Sequence, residues 1–251
     1  MTAPQIEAAR KTLGSERLIV ALDVDSADRA REVVADLEGA ADTFKVGLQL
    51  FVNSGPRFVE DLVAAGKRVF LDLKFHDIPN TVAMAGIEAA RLGVWMFNVH
   101  ASGGAEMMAR TKCEVAEFCE ATDRACPLII GVTILTSIDE KAMFEIYGDD
   151  DVAARVVHFA ELSHRSGLDG VVASAMETTH IRSSIDDPGF LLVTPGVRPI
   201  NGTKDDQKRV TSPGAAIAAG ASHIVIGRPI LAAADRRKAF LDILEEMAQA
   251  A

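Results

Sequence analysis

The chain has 251 residues, of which 49% are hydrophobic and 25% are charged. This balance is typical of a folded globular protein and excludes an intrinsically disordered chain. The net charge of −10 at pH 7 argues against a broad nucleic-acid or anionic-membrane surface, because such surfaces need clustered Lys and Arg. A small phosphorylated ligand stays compatible with the charge, because local backbone N–H groups and one Arg can hold a phosphate.

The features that report on compartment all indicate the cytoplasm. The chain has three cysteines without C-x-x-C spacing, Cys113, Cys119 and Cys126. Their odd number leaves no complete disulfide framework, so we expect buried or semi-buried thiols in a reducing compartment. Residues 1–16 contain no apolar segment of a signal peptide. The apolar stretch 215–234 is interrupted by His223, Arg228 and Pro229, so it is not predicted to span a membrane. These features predict a soluble, cytoplasmic protein.

Short apolar or β-branched runs alternate with segments of helical periodicity along the chain. The predicted strands are residues 17–24, 43–50, 68–75, 96–101, 127–135, 170–173, 191–197 and 223–227. The predicted helices are residues 27–37, 56–65, 79–92, 105–120, 152–166, 176–183, 213–219 and 231–247. Ser26 is placed as an N-cap and Pro213 as a first helical residue. The repeated β-then-α order predicts an α/β protein, a single-domain (β/α)8 TIM barrel over residues 1–251.

An open, doubly wound sheet is the alternative architecture. Its dinucleotide-binding form places G-x-G-x-x-G after the first strand, where this chain has Leu22-Asp23-Val24-Asp25. No proline- or serine-rich linker divides the chain. Two connections are longer than the others, residues 137–151 and 198–211. Both follow the C-terminal ends of predicted strands, where barrel enzymes keep their active sites.

The third predicted strand carries the strongest chemical signal, in the sequence V-F-L-D-L-K-F-H-D-I-P-N-T at residues 69–81. Strand side chains alternate between faces, so Asp72 and Lys74 point the same way among apolar neighbours. Buried charges are costly unless they are paired, and their use is usually chemical. The alternative is an ion pair that only stabilises the core.

Other polar residues stand on the predicted strands, at their ends or in the loops that follow them, and the C-terminal strand ends face a common mouth in a barrel. On the strands or at their ends are Asp23, Lys45, Asn98, His100, Thr133, Thr136 and Arg228, and in the loop after strand seven are Arg198 and Gln207. Lys45, Asp72 and Lys74, joined by Asp77 or Asp23, predict a chain of alternating charges in which each group changes the pKa of the next.

A phosphate-binding site is predicted at Gly227-Arg228, after the eighth strand. A small residue there lets backbone N–H groups approach the ligand, and an Arg guanidinium can bind two phosphate oxygens at once. Arg198 and Gln207 lie in the neighbouring loop, which we interpret as a lid over the phosphate. The alternative is that Gly227 only makes a turn and Arg228 only caps a strand.

The two histidines near the third and fourth strands raise the question of a metal. His76 or His100 could join Asp72 and Asp77 as ligands. Lys45 and Lys74 in the same pocket, however, would already neutralise the carboxylates that a divalent ion needs. We therefore predict no metal site, and the chain has no cofactor motif.

Seven motifs follow one another in a specific order. They are A-L-D at 21–23, F-K-V-G at 44–47, D-L-K-F-H-D-I-P-N-T at 72–81, N-V-H-A-S-G-G at 98–104, V-T-I-L-T-S at 132–137, T-P-G-V-R at 194–198 and V-I-G-R-P at 225–229. In this order they resemble the orotidine 5′-monophosphate decarboxylase family, in particular its bacterial form. The D-x-K-x-x-D core alone is shared with related sugar-phosphate barrels, whereas the ordered set is far more specific.

The resemblance implies a reaction: cofactor-free decarboxylation of orotidine 5′-monophosphate to UMP and CO2 in pyrimidine biosynthesis. Lys74 would protonate C6 of the pyrimidine, and Asp72 would sit against the substrate carboxylate. Asp23 and Lys45 would hold ribose hydroxyls, with Lys45 also joining the charge chain.

The resemblance also implies a homodimer with shared active sites. Asp77 and Thr81 would reach into the partner's pocket, where Asp77 would join the catalytic groups. Thr136 would help to bind the pyrimidine. Four residues would bind the phosphate and close the lid: Arg198, Gln207, Gly227 and Arg228.

Three other functions compete with this one. A metal-dependent sugar-phosphate decarboxylase or aldolase resembles it in the D-x-K-x-x-D strand, but is expected to have an acidic metal ligand where this chain has Lys45. A Schiff-base enzyme using Lys45 or Lys74 needs a depressed lysine pKa, which flanking carboxylates oppose. A catalytically silent barrel that only binds nucleotides is the third.

Overall fold

The structure is a computed structural model, and it describes residues 14–198 and 211–250. Eight parallel strands close into a barrel in chain order, with β8 pairing back to β1. The strands are β1 (Leu18–Ala21), β2 (Thr43–Gly47), β3 (Arg68–Phe75), β4 (Met96–His100), β5 (Leu128–Val132), β6 (Gly170–Val172), β7 (Leu191–Thr194) and β8 (His223–Ile226). The predicted (β/α)8 barrel is therefore confirmed.

Helices connect the strands on the outside of the barrel. Within the described ranges they are α1 (Ala27–Asp36), α2 (Leu48–Ser54), α3 (Pro56–Ala64), α4 (Pro79–Arg91), α5 (Ala105–Ala121), α6 (Glu140–Tyr147), α7 (Val152–Arg165), α8 (Thr178–Ser184), α9 (Pro213–Ala218), α10 (Arg228–Leu231) and α11 (Arg236–Ala248). The longest, α5, has 17 residues, and none in these ranges is both long and apolar enough to cross a bilayer.

Three helices, α2, α6 and α10, were not predicted from the sequence. The apolar run 43–50 was predicted as one strand, but the chain turns into α2 after Gly47. The connection 137–151 contains α6, whose N-cap Asp139 accepts a hydrogen bond from the Ala142 N–H. Gly148 ends α6 in the left-handed conformation. Both α6 signals are readable in the sequence and were missed because the helix is short.

The core has two layers. Buried side chains from six strands form an inner cluster, and this cluster comprises Ile19, Ala21, Phe70, Met96, Ile130, Val193 and Val225. A larger cluster packs the outer faces of the strands against the helices. The inner cluster fills the interior of the barrel, so the C-terminal ends of the strands lie above a packed core.

The cysteine prediction is wrong for two of the three thiols. Cys119 is buried, but Cys113 and Cys126 are exposed. Cys113 lies on the solvent face of α5, where its thiol hydrogen-bonds to Glu117 over 3.2 Å. Its position in the sequence did not reveal which face of the helix it occupies.

Candidate active site

A cavity of about 180 Å³ lies at the C-terminal ends of the strands. Its charged lining comes from Lys45, Asp72 and Lys74, and Thr136 adds a hydroxyl. The remaining lining is apolar, and Phe70 and Val225 of the inner cluster belong to it. An apolar cavity with a few convergent polar groups is the usual form of a small-molecule site.

Four side chains of alternating charge run through the site. Lys45 Nζ donates to Asp23 Oδ1 over 2.9 Å and lies 3.3 Å from Asp72 Oδ2. Lys74 Nζ donates to the other oxygen, Asp72 Oδ1, over 2.6 Å. We call Asp23, Lys45, Asp72 and Lys74 the charge chain. The predicted alternation of acids and bases is thus present, with Asp23 as the outer acid.

Burial and charge act in opposite directions on Lys45, whose side chain is only 10% exposed. Burial alone lowers the pKa of Lys45, but the carboxylates of Asp72 and Asp23 together outweigh it and leave the pKa above its ordinary value. Lys45 is therefore a fixed ammonium group. A Schiff-base nucleophile needs the opposite shift, so this position does not fit that function.

The third strand is irregular where the charges stand. Leu71 pairs with Phe97 and Phe75 pairs with Val99, so three residues of β3 lie opposite the single residue Asn98. This is a bulge, and Lys74 within it has a positive φ of 53°. A left-handed conformation costs a non-glycine residue about 1–2 kcal/mol, so other contacts must hold it.

Asn98 supplies one of those contacts and also binds the Asp72 carboxylate. Its Oδ1 accepts the Lys74 backbone N–H over 2.8 Å, and its Nδ2 donates to Asp72 Oδ1 over 2.7 Å. The side chain is fully buried. Sequence reasoning placed Asn98 at the mouth but assigned it no role, because a bulge cannot be read from alternation of residues.

Two glycines allow the chain to approach Asp23 and Lys45. A Cβ at Gly47 would lie 3.0 Å from Lys45 Nζ and 3.5 Å from Asp23 Oδ1. A Cβ at Gly227 would lie 3.4 Å from Asp23 Oδ2 and 3.3 Å from the Ala21 Cβ. Gly47 was part of a quoted motif, but its importance for space around Lys45 appears only in three dimensions.

Three of the four predicted phosphate residues lie at the ends of β7 and β8. Gly227 precedes α10, and Arg228 is its exposed first residue. Arg198 is buried, and its N–H donates to Thr211 O over 3.0 Å beside a bridge between Val197 and Thr211. Gln207 lies outside the described residues.

Asp77 and Thr81 are exposed and do not line the cavity. The Asp77 carboxylate accepts the N–H of the next residue, Ile78, over 2.6 Å. Within the part of the chain that the structure describes, no ion pair joins Asp77 to Lys74 of the same chain. Asp77 is therefore not brought into the charge chain of its own subunit.

The two histidines lie next to each other, with ring centroids 5.2 Å apart. Burial lowers the pKa of His100, His76 and Lys74 lower it further, and Asp72 opposes them. Among residues 14–198 and 211–250, no three His, Cys, Asp or Glu side chains are arranged to hold a metal ion. Thr133 is buried and donates to Val172 O, so its hydroxyl serves the barrel wall.

A second cavity of about 400 Å³ adjoins the first. The two share Ile134, Leu135, Thr136 and Pro195. These residues belong to the segments that follow β5 and β7, as expected for the long connections at this end of the barrel. The shared lining provides continuous space above the strand ends.

Comparisons with known proteins relate this chain to one family. The family model described as "Orotidine 5'-phosphate decarboxylase / HUMPS family" matches residues 16–243. An orotidine 5′-phosphate decarboxylase of Syntrophotalea carbinolica is 51% identical over 235 residues, which are 94% of this chain and 96% of that one. One of Pseudoalteromonas translucida is 47% identical over 86% of this chain and 90% of its own. The crystal structure of the Lactobacillus acidophilus orotidine 5′-phosphate decarboxylase has a TM-score of 0.80 at 34% identity, covering 92% of this chain and 99% of that one.

Proposed function

The chain belongs to the orotidine 5′-phosphate decarboxylase / HUMPS family, and from this membership we propose how its residues carry out the reaction. It is a carboxy-lyase of pyrimidine biosynthesis that converts orotidine 5′-monophosphate to UMP and CO2. The observation that carries the proposed mechanism is the charge chain, whose successive side chains lie 2.6–3.3 Å apart. Three of them, Lys45, Asp72 and Lys74, line the cavity.

Lys74 is the proton donor in this mechanism. The bond between C6 and the carboxylate carbon breaks, CO2 leaves, and the electron pair stays on C6. The Lys74 ammonium stabilises that charge and then transfers its proton to C6, after which solvent reprotonates the amine. A fixed ammonium in a largely apolar cavity is well suited to this task, because low polarity strengthens its interaction with the developing charge.

Asp72 holds the two ammonium groups in place. One of its oxygens accepts from Lys74 and the other faces Lys45. Its side chain is 13% exposed, so these contacts are poorly screened by water. Asp72 thereby holds the Lys74 ammonium group beside the substrate carboxylate.

The remaining residues bind the substrate. Asp23 and Lys45 hold the ribose hydroxyls, since Asp23 is at the open end of the charge chain with 56% of its side chain exposed. Thr136 contacts the pyrimidine from the cavity wall. The phosphate is held at the β7 and β8 ends by Arg198, Gly227 and Arg228, and Gln207 is proposed to contribute to the same grip.

Neither a metal nor a cofactor takes part in the proposed reaction. The two carboxylates that a divalent ion would use already accept hydrogen bonds from ammonium groups, Asp23 from Lys45 and Asp72 from Lys74. A metal-dependent sugar-phosphate enzyme is expected to have an acidic metal ligand where this chain has Lys45.

The active enzyme is proposed to be a homodimer in which Asp77 and Thr81 complete the partner's site. Both are exposed, and exposed apolar side chains stand next to Asp77 in the sequence and on α2. Ile78, next to Asp77, is 65% exposed, and Val52 of α2 is 80% exposed. Covering such side chains with a second copy would bury apolar area and bring Asp77 to a second pocket.

The proposal also includes the domain organisation and the cellular location of the enzyme. Residues 1–251 form one catalytic domain, because the described helices all belong to the single barrel. The enzyme works in the cytoplasm without nucleic-acid or membrane partners, in keeping with its net charge of −10 and its unpaired cysteines.

The decisive test is an absorbance assay with orotidine 5′-monophosphate in the presence and absence of EDTA. We expect equal rates of UMP formation with and without the chelator. Loss of activity in EDTA that Mg²⁺ restores would favour the metal-dependent alternative. Binding of UMP without any turnover would favour a barrel that only binds nucleotides.

A further inference from the structure

The bulge in β3 depends on one side chain of the neighbouring strand. Between the pairs Leu71–Phe97 and Phe75–Val99, regular backbone pairing is lost, and three residues of β3 face Asn98 alone. The Lys74 N–H that would otherwise pair with a strand carbonyl donates to Asn98 Oδ1 instead, over 2.8 Å. The side-chain amide thus replaces one backbone hydrogen bond between β3 and β4.

The same amide also reaches the charge chain. Asn98 Nδ2 donates to Asp72 Oδ1 over 2.7 Å, and this is the oxygen that accepts from Lys74 Nζ over 2.6 Å. One oxygen therefore has two donors, which fixes the rotation of the carboxylate. Asp72 Oδ2 is left facing Lys45 Nζ at 3.3 Å.

We propose that Asn98 is a positioning residue for the decarboxylation, acting through Asp72 and Lys74. It holds the left-handed backbone of Lys74 with its oxygen and the Asp72 carboxylate with its nitrogen, so the ammonium is aimed before substrate arrives. The inference rests on the proposed role of Lys74. An amide suits this position because it offers an acceptor and a donor to the two ends of the bulge at every pH at which the enzyme is folded.

The test uses two variants with different defects. Asn98→Ala removes both contacts and should lower kcat on the order of 10²-fold while changing UMP affinity less than about threefold, because misplacement of the proton donor affects the transition state more than phosphate binding. Asn98→Asp keeps the shape and the acceptor for the Lys74 N–H but puts a carboxyl where the donor was.

The Asn98→Asp variant makes a prediction about pH. The new carboxyl faces Asp72, which favours its protonated form, while the ammonium groups of Lys74 and Lys45 around Asp72 oppose this effect. As the pH falls the new carboxyl takes up a proton, and it can then donate to Asp72 as the amide does. The ratio of kcat/KM for Asn98→Asp to that of the wild type, measured between pH 5 and 8, should therefore rise as the pH falls. A residue that only supported the fold would produce no such dependence.

Thr111→Val is the matched control, because it removes a buried side-chain hydrogen bond, from Thr111 Oγ1 to Met107 O, away from the cavity. It should lower the melting temperature and leave kcat and its pH profile unchanged. A ratio for Asn98→Asp that is flat with pH, or a kcat for Asn98→Ala within about threefold of wild type, would overturn the inference. If Asn98→Ala does not fold, the isosteric variant decides alone. A wild type that releases no CO2 from orotidine 5′-monophosphate would instead overturn the proposed function.

Discussion

At the scale of single residues, the carboxylate of Asp72 is where the contacts of the site converge. It accepts from Lys74 and Asn98 and faces Lys45, all within 3.3 Å. Two ammonium groups compensate two carboxylates along the charge chain, so the buried charges are paired. The simpler hypothesis of an ion pair that only stabilises the core would leave no reason for the strained backbone at Lys74 or for a cavity beside it.

Replacing Lys74 tests the mechanism directly. Lys74→Ala should lower kcat by about 10⁴-fold or more, because the same group stabilises the charge at C6 and supplies its proton. UMP affinity should change little, since the phosphate contacts remain. The measurements are single-turnover kinetics and UMP titration.

Lys112→Ala provides the control for that experiment. Lys112 also forms a partly buried ion pair, with Asp169 at 2.6 Å, but on the outside of the barrel. Its loss should reduce stability without reducing kcat. If Lys74→Ala turned over at a rate comparable to the control, Lys74 would not be the proton donor.

His223 makes the stability of the barrel depend on pH. It is buried at the start of β8, and burial, reinforced by Arg17 and Arg68, lowers its pKa to about 4 while Glu16 opposes the shift. The unfolded chain binds this proton near pH 6.5 and the folded chain does not. The stability contributed by the neutral ring is therefore complete above about pH 6.5 and is lost as the pH falls towards 4, by about 3 kcal/mol in total.

The corresponding experiment compares urea unfolding at pH 7 and pH 4.5. The free energy of unfolding of the wild type should fall more steeply than that of His223→Gln, because glutamine does not titrate. His180→Gln is the control, since His180 is exposed, and it should keep the slope of the wild type. Equal slopes in His223→Gln and the wild type would contradict the buried neutral ring.

At the scale of elements, the sequence predicted the eight strands because barrel strands buried on both faces are continuous apolar runs. It did not predict where they stop. Residues 127–135 were expected as strand, but β5 ends at Val132 and the apolar run continues into Ile134, which lines the cavity. Burial in a loop and burial in a strand require the same residue types, so composition cannot separate them.

The active site was also only partly predictable from the sequence. Lys45, Asp72 and Lys74 were predictable because charges in apolar strands are rare and costly. The bulge that aims Lys74, and the role of Asn98 in holding it, come from pairing between two strands that no single-strand pattern contains. The α6 helix, by contrast, carried its own capping residues, Asp139 and Gly148, and could have been found.

The junction of β8 and α10 is the element that we expect to bind phosphate. Arg228→Ala should raise KM and lower kcat/KM on the order of 10²-fold, because a charge-assisted contact to phosphate is lost. Steady-state kinetics with orotidine 5′-monophosphate check this. Arg237→Ala, which removes a surface contact to Glu38 O, should leave both constants unchanged. A normal KM in the Arg228 variant would place the phosphate elsewhere.

At the scale of the whole molecule, each active site of the proposed dimer contains residues of both chains. Lys74→Ala and Asp77→Ala should each be nearly inactive, yet their mixture should recover activity after subunit exchange. In a heterodimer one pocket carries both lesions and the other carries neither, so equal amounts should leave about a quarter of all pockets intact. Activity is measured before and after mixing. A labelled subunit shows independently that exchange has taken place.

Two preparations of Lys74→Ala mixed in the same way form the control and should stay inactive. Lack of recovery in the mixed variants, with exchange demonstrated, would mean that Asp77 acts in its own chain. The exposed Ile78 and Val52 would then need another partner.

The bridge between Val197 and Thr211 has a consequence for how this enzyme can change over evolutionary time. Backbone contacts join Val197 and Arg198 to Thr211 at the barrel. Folding of the barrel therefore brings together the two positions that flank residues 199–210. The entropy cost of closing a length of chain between two joined ends rises only slowly with the number of residues. Insertions and deletions between Val197 and Thr211 should therefore cost the barrel little stability over evolutionary time.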